Sequence, residues 1–85
     1  MIEIYTRKET CSWCIKAKEK LNKAQYDYKE IVVGEGISRD DFIAKFWANV
    51  PNPRPTAPQI VINGSHIGGY EELTAWLEFQ KGDSI

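Results

Sequence analysis

The amino-acid sequence predicts an α/β fold with a mixed four-stranded sheet flanked by three helices, in the order β-α-β-α-β-β-α. Three observations lead to this prediction: short β-rich runs alternate with helical patterns, a strand–helix–strand unit opens the chain, and Asn63-Gly64 lies between two short strands. The opening unit should give a right-handed parallel pair. The Asn-Gly turn should join the last two strands as an antiparallel hairpin. Helices are therefore expected on both faces of the sheet.

The first half of the chain supplies the parallel pair. Residues 2–5, "IEIY", form a short β-rich run, and a polar loop over 7–10 follows it. From Cys11 the pattern becomes helical, with alanine and lysine supplying helix propensity and an exit over 22–25. Residues 26–33, "YDYKEIVV", alternate in character and end in two valines, which indicates the second strand.

A second helix is predicted over residues 38–50. Ser38 is suited to its N-cap, and Asp40 and Asp41 favour the first turn, where carboxylates complement the helix dipole. The apolar stripe of this helix is expected to comprise Phe42, Ile43, Phe46, Trp47 and Val50.

The C-terminal part of the chain is predicted to hold a stiff loop, the hairpin and the last helix. All four prolines fall within residues 51–58, which excludes a helix or a central strand there. Residues 59–62, "QIVI", and 65–69, "SHIGG", flank the Asn-Gly turn as strands. A last helix containing "YEELTAWLEFQK" ends at Gly82. Its buried face is expected to comprise Leu73, Trp76 and Leu77.

Length and composition limit the classes of function. A chain of 85 residues is expected to form one domain, over residues 1–85. Eleven lysines and arginines against twelve acidic residues give a net charge of −1, so nucleic acid and anionic lipid are not expected as partners. No apolar run reaches the length of a membrane span, and the N-terminal stretch is too charged for a signal peptide. The sequence therefore predicts a cytoplasmic protein.

The chain contains two cysteines, Cys11 and Cys14, at the predicted start of the first helix. A structural zinc site needs four ligands, and the one histidine of the chain is His66. A disulfide between residues so close in sequence removes little entropy from the unfolded chain, so it would add little to the stability of the fold. Redox chemistry is thus favoured for the pair, with two ordinary buried helix cysteines as the alternative. His66 is interpreted as a structural residue of the sheet.

The spacing of the two cysteines suits reversible disulfide formation. Residues three apart on a helix have Cα atoms about 5 to 5.5 Å apart, within the range that a disulfide accepts. Cys11, at the helix start, faces unpaired N–H groups and the positive end of the helix dipole, which lower the pKa of a thiol. We therefore expect Cys11 to be the nucleophile and Cys14, one turn further and shielded, to be the resolving thiol.

Three motifs resemble those of the glutaredoxins of the thioredoxin fold, in particular small dithiol members from bacteria and phages. They are "CSWC" at 11–14, "TAPQIVI" at 56–62 and "SHIGGYEEL" at 65–73, and the resemblance extends from Ile2 to Leu77. It implies a glutathione-dependent thiol–disulfide oxidoreductase that reduces protein disulfides and glutathione mixed disulfides. The implied partners are glutathione and protein disulfides, including ribonucleotide reductase, and the implied state is a monomer.

The resemblance also implies where glutathione binds. The implied glutathione-binding residues are Lys8, Trp13, Arg54, Thr56, Ala57, Pro58, Gly69, Tyr70 and Glu71. In the family, the proline of the T-x-P motif is cis and faces the nucleophile, although an X-Pro bond is trans by default. The glycine carboxylate of glutathione would face Lys8 and Arg54. Its γ-glutamyl end would meet the amides at Gly68-Gly69 and the carboxylate of Glu71, where the family usually has Asp.

Three other functions are compatible with the sequence. The family often has proline where Ser12 stands, and a serine there occurs in members that bridge a [2Fe-2S] cluster between two subunits, with glutathione completing the ligand set. A cluster-carrying dimer is therefore the first alternative. Exchange driven by thioredoxin reductase is the second, and a binding module with incidental cysteines is the third. The glutathione-dependent function needs no metal or nucleotide.

Overall fold

The computed structural model describes residues 1–82 and has the predicted order of elements. The elements are β1 (Ile2–Arg7), α1 (Ser12–Lys23), β2 (Tyr28–Val33), α2 (Arg39–Trp47), β3 (Gln59–Ile62), β4 (Ser65–Gly68) and α3 (Tyr70–Gly82). The fold class predicted from the sequence, a mixed four-stranded sheet with three helices, is therefore confirmed. None of the helices within this described range is long and apolar enough to cross a membrane.

The sheet has the strand order β2-β1-β3-β4, with β1 and β3 at its centre. β1 runs parallel to β2 and antiparallel to β3, and β3 and β4 form an antiparallel hairpin. Asn63 and Gly64 make the hairpin turn with φ angles of 51° and 84°, the left-handed values that a two-residue turn of this type requires. Tyr5 lies opposite Gln59 in the register, so the loop that leaves β1 lies beside the segment that enters β3.

Apolar side chains on the two faces of the sheet form two clusters, one for each helix layer. Because strand side chains alternate between faces, Ile2 and Ile4 join the α1–α3 cluster while Tyr5 joins the α2 cluster. The first cluster consists of Ile2, Ile4, Ala17, Leu21, Ile60, Ile62, Leu73 and Leu77. The second consists of Tyr5, Phe42 and Val61, with Phe46 and Trp47 among the half-buried side chains packed against it. The predicted placement of helices on both faces is thus confirmed.

The bounds of several elements differ from the predictions: β2 begins at Tyr28 rather than at residue 26, β4 ends at Gly68 rather than at residue 69, and β1 and α2 differ as follows. β1 continues to Arg7, beyond the predicted four residues, because Thr6 and Arg7 pair with the end of β2. α2 ends at Trp47, and Val50, predicted to lie on its apolar stripe, is 48% exposed, so that prediction is wrong. The reason is Pro51, since the residue before a proline is disfavoured in the helical conformation.

A polar contact ties β1 to β2 and α1. The buried Thr6 hydroxyl donates a hydrogen bond of 2.7 Å to Glu30 in β2, and the ammonium of Lys18 in α1 lies 3.2 Å from the same carboxylate. The Thr6 hydrogen bond, assisted by Lys18, holds the pKa of Glu30 below its usual value against the opposing effect of partial burial. The two strands and the first helix are therefore joined close to the loop that leads to Cys11.

Leu21→Ala is expected to lower the free energy of unfolding by about 2 to 5 kcal/mol, because Leu21 of α1 is fully buried and its truncation leaves a cavity. Ile15→Ala on the same helix is the matched control, since Ile15 is 51% exposed. The control should cost about 0.5 kcal/mol or less. Urea unfolding of both variants measures the difference, and equal losses would contradict the assignment of Leu21 to the core.

Candidate redox-active site

The two cysteines form a disulfide at the N-terminal end of α1. Cys11 is the N-cap residue and Cys14 lies in the first turn, with their Cα atoms 5.2 Å apart. This distance agrees with the value predicted from helical spacing. Both residues are buried, Cys11 with 6% and Cys14 with 3% of its surface exposed. The pair therefore has the arrangement expected of a dithiol that opens and closes in place.

The amide end of α1 faces the Cys11 sulfur. Cys11 has extended backbone angles, and its Sγ accepts a hydrogen bond of 3.2 Å from the Cys14 N–H, in the place where a serine or aspartate oxygen caps other helices. The Cys11 carbonyl accepts a helical hydrogen bond of 3.1 Å from the Ile15 N–H. A negative charge on this sulfur would therefore meet an N–H donor and the positive end of the helix dipole.

The Thr56–Pro58 segment lies beside Cys11, in keeping with the register that pairs the end of β1 with the start of β3. The Ala57–Pro58 peptide bond is cis, which confirms the conformation that the family resemblance implies rather than the trans default. The Ala57 carbonyl oxygen lies 3.7 Å from Cys11 Sγ. Because this sulfur carries no hydrogen in the disulfide, the two atoms make a van der Waals contact. The segment that the resemblance implies to bind glutathione is thus adjacent to the sulfur expected to react.

A cavity of about 200 Å³, here named the aromatic cavity, opens at this segment toward α1 and α3. It is lined by Trp13, Thr56, Ala57, Pro58, Gly69, Tyr70, Glu71 and Glu72. The rings of Trp13 and Tyr70 lie 5.1 Å apart, and Trp13 is 53% exposed. Seven of the nine residues predicted to bind glutathione thus come together. The charged groups among these lining residues are both carboxylates.

A second cavity, of about 270 Å³ and here named the basic cavity, opens at the same segment toward β2 and α2. It is lined by Arg7, Lys8, Glu9, Val33, Gly34, Arg39, Phe42, Pro55, Thr56 and Ala57. Lys8 and Ala57 thus line the same cavity, whereas Arg54 is exposed and lines neither cavity. Arg7 and Arg39 supply two further positive charges, and of these two Arg39 was not predicted. Arg39 begins α2, and only the tertiary fold brings it to the loop after β1.

Glu72 is a site residue that was not predicted. Its carboxylate accepts a hydrogen bond of 2.8 Å from the Gly69 N–H. It also lies over Gly68, where an added Cβ would be 2.6 Å from the Glu72 side chain and where φ is 124°, so a larger residue there would be strained. A glutamate three residues after the helix N-cap is the sequence signal for this bond. The Gly69 amide is therefore already partnered, and the amides of Tyr70 and Glu71 come next in the first turn.

Two larger cavities lie elsewhere on the molecule. Their volumes are about 360 and 420 Å³, and residues 56–58 line neither of them, so a molecule bound there would not contact the segment beside Cys11. Within the described residues, no three His, Cys, Asp or Glu side chains are placed to hold a metal ion. Of these four cavities, the aromatic and the basic cavity are therefore the two lined by Thr56 and Ala57, next to the sulfur of Cys11.

His66 lies on β4 near this site. Its ring packs on Phe46 of α2 with the ring centroids 4.4 Å apart, and its Nε2 lies 2.6 Å from the side-chain oxygen of Gln59. Partial burial lowers the pKa of His66 below its ordinary value, while the negative charge of Glu72 acts in the opposite direction. The imidazole is therefore neutral at pH 7.

A mixed sheet of this order, a Cys-x-x-Cys disulfide at the start of the first helix and a cis-proline beside it define a thiol–disulfide oxidoreductase with a thioredoxin-like fold. The family model for glutaredoxin matches residues 2–67. Glutaredoxin 3 of Escherichia coli K12 is 37% identical over 75 residues, which cover 87% of this chain and 82% of that protein. The chain belongs to the glutaredoxin family.

Solved glutaredoxin structures have the same fold. Glutaredoxin 1 from Francisella tularensis, complexed with cacodylate, superposes with a TM-score of 0.72 at 27% identity, covering 95% of both chains. Reduced Escherichia coli glutaredoxin gives 0.68 at 31% identity, covering 95% of this chain and 96% of that one. Glutaredoxins use glutathione as reductant and act on protein disulfides. Thiol–disulfide exchange at the pair of Cys11 and Cys14 is therefore the activity of this protein.

The His66 ring is expected to titrate in the folded protein with a midpoint below 6.5, because partial burial disfavours its cation. The unfolded state then binds more protons in the interval just below 6.5, so the free energy of unfolding should rise with pH through that interval and level off above it. NMR of the ring protons measures the midpoint, since the chain has one histidine. Glu72→Gln should lower the midpoint further. A midpoint at or above 6.5 would contradict the burial of the ring.

Proposed function

We propose that this glutaredoxin is a glutathione-dependent reductase of protein disulfides and glutathione mixed disulfides. It acts as a monomer with one domain over residues 1–85, in the cytoplasm, where the glutathione pool keeps a dithiol of this kind reduced. Among protein substrates, ribonucleotide reductase is the one that the family resemblance implies.

The observation that carries this proposal is the position of the disulfide beside two cavities of opposite charge. Both cavities share Thr56 and Ala57, and the Ala57 carbonyl contacts the Cys11 sulfur at 3.7 Å. Glutathione has an ammonium and a carboxylate at its γ-glutamyl end, a sulfur at its centre and a carboxylate at its glycine end. A tripeptide laid across Ala57 would meet acids and helix amides on one side, the sulfurs in the middle and cations on the other.

Each part of glutathione has a counterpart in this arrangement. The γ-glutamyl carboxylate would accept hydrogen bonds from the amides of Tyr70 and Glu71, and the Glu71 side chain would receive the ammonium. The cysteinyl backbone would pair with Ala57 as an added strand. The glycine carboxylate would lie in the basic cavity with Lys8, and Arg39 is a second cation that lines this cavity.

Cys11 rather than Cys14 is proposed as the nucleophile because of its place on the helix. The Cys14 N–H, 3.2 Å from Cys11 Sγ, is positioned to stabilise a thiolate there, and the helix dipole adds to this effect. Cys14 lies inside the first turn and is the more buried of the two, so a substrate meets Cys11 first.

The reaction is a two-electron thiol–disulfide exchange. In the reduced protein, the Cys11 thiolate attacks one sulfur of the substrate disulfide, the S–S bond breaks and the other sulfur leaves as a thiolate. Cys14, after losing its proton, attacks the Cys11 sulfur and releases the second substrate thiol, which forms the disulfide seen here. The substrate is reduced by two electrons and the cysteine pair is oxidised by two. Two glutathione molecules then reduce the pair and leave as glutathione disulfide.

A dimer carrying a [2Fe-2S] cluster is the second candidate, and Ser12 is the observation that favours it. Ser12 lies exposed in the first turn of α1, where the family often has proline. Cys11 would be the ligand from this chain, with a second copy and glutathione thiols completing the set. Anaerobic purification with glutathione distinguishes the two candidates: a colourless monomer supports the reductase, and a brown dimer supports the cluster-carrying protein.

Cys11→Ser is expected to lower the rate by at least about 100-fold in an assay that couples glutathione and glutathione reductase to a small glutathione mixed disulfide, because the nucleophile is lost. Cys14→Ser should keep the rate within about fivefold, since glutathione itself resolves the intermediate. On a protein disulfide, Cys14→Ser should lose most of its activity.

The controls of this assay test the mechanism and the electron donor separately. Full activity of Cys11→Ser would contradict the mechanism. Replacing the glutathione system by NADPH and thioredoxin reductase tests the donor, and activity with that system alone would contradict glutathione dependence while leaving the role of Cys11 intact.

A further inference from the structure

Gln59 is a buried polar residue at the start of a strand that is otherwise apolar. It is 6% exposed and opens β3, and the three residues that follow it are buried and apolar. Burying a side-chain amide is costly unless its donors and its acceptor find partners. The partners of Gln59 therefore indicate what this residue does for the site.

The Gln59 side chain bridges Thr56 and His66. Its NH2 group donates hydrogen bonds of 3.1 Å to the Thr56 carbonyl and of 3.1 Å to the Thr56 hydroxyl. Its oxygen lies 2.6 Å from His66 Nε2. Because a carbonyl can only accept, the Gln59 NH2 must point to Thr56 and the Gln59 oxygen to His66. Neutral His66 therefore carries its hydrogen on Nε2 and donates it to Gln59.

The two ends of this bridge differ in how they are held. His66 stands on β4 and packs on Phe46 of α2, so it belongs to the regular part of the fold. Thr56 lies in the proline-containing loop between α2 and β3. The bridge thus connects the sheet and a helix to the residue immediately before Ala57, whose carbonyl contacts the Cys11 sulfur.

We propose that Gln59 is a positioning residue for the substrate backbone at Ala57, and that His66 holds the Gln59 amide in its productive orientation. By binding the carbonyl and the hydroxyl of Thr56, Gln59 sets the direction in which Ala57 presents its N–H and C=O to an extended peptide. The bridge therefore determines how strongly the enzyme prefers peptide-bound disulfides over small ones. This inference rests on the part of the proposed function in which substrate backbone pairs with Ala57, and it does not depend on the electron donor.

Single-turnover reactions of the reduced protein with two mixed disulfides test this role. Both carry nitrothiobenzoate as the leaving thiolate, one attached to the cysteine of the pentapeptide Gly-Ala-Cys-Ala-Gly and the other to mercaptoethanol. The Cys11 thiolate attacks the sulfur of the peptide or of mercaptoethanol, the S–S bond breaks, and coloured nitrothiobenzoate leaves. All proteins, the reference included, carry Cys14→Ser so that the mixed disulfide on Cys11 persists. Glutathione is absent.

Gln59→Leu is expected to lower the rate constant with the peptide by about tenfold and to leave the rate constant with mercaptoethanol within about twofold, because only the peptide has a backbone to align at Ala57. Thr6→Val is the matched control, since it also removes a buried hydrogen bond, the one to Glu30, and should leave the ratio of the two rate constants unchanged. An equal loss with both substrates, or an unchanged ratio in Gln59→Leu, would overturn the proposal.

Two variants of His66 test the other end of the bridge and leave the residues of β3 unchanged. His66→Phe keeps a ring on Phe46 but removes the N–H donor, so the preference for the peptide should fall by about threefold. His66→Gln offers a donor again and should restore the preference, and an identical loss in both variants would overturn the role of His66. A reference protein that reacts with the peptide no faster than with mercaptoethanol would overturn the proposal as a whole, whatever the glutathione-coupled assay shows.

Discussion

The hydrogen bond from the Cys14 N–H to the Cys11 sulfur is the interaction on which the site depends. It puts a sulfur where a helix end usually receives an oxygen, so the atom that caps α1 is also the atom that we propose as the nucleophile. Ionising that sulfur strengthens the hydrogen bond and the interaction with the helix dipole together. The buried side chains of Ala17 and Leu21 hold α1 against the sheet, so the chemistry rests on the packing that fixes the helix.

The substrate recognition proposed here depends on a second constraint, the antiparallel register of β1 and β3. This register brings the segment before β3 beside the loop after β1, and Ala57 reaches the Cys11 sulfur as a result. Gln59, the first residue of β3, donates hydrogen bonds to Thr56. These bonds hold the irregular segment before β3 against the sheet. Glu72 acts in a similar way at α3, where it occupies the Gly69 amide and leaves the following amides for a ligand.

The features that could be predicted from the sequence are those that depend on neighbouring residues. Ser38 caps α2 and Asn63-Gly64 turns the hairpin, because both signals act over three or four residues.

Arg39 could not be predicted, since only packing of α2 brings it to the cavity that Lys8 lines. Arg54 was expected to bind glutathione because it precedes the T-x-P motif, but it is exposed and lines neither cavity. The position of a residue relative to a motif does not give the direction of its side chain in an irregular loop. Local sequence preference predicts a trans bond before Pro58, and the cis bond was expected only because of the family resemblance. The sequence also contained a signal for Gln59, a polar residue opening an apolar strand, but its partner His66 lies on another strand.

The pKa of the Cys11 thiol tests the central claim most directly. It can be obtained from the rate of iodoacetamide alkylation of the reduced protein as a function of pH, with the labelled cysteine identified by peptide mass mapping. The account predicts that Cys11 reacts first, with a midpoint at least about one unit below the value of about 8.5 for a free thiol, and that Cys14 reacts only at higher pH. A midpoint for Cys11 at or above the free-thiol value, or preferential labelling of Cys14, would contradict it.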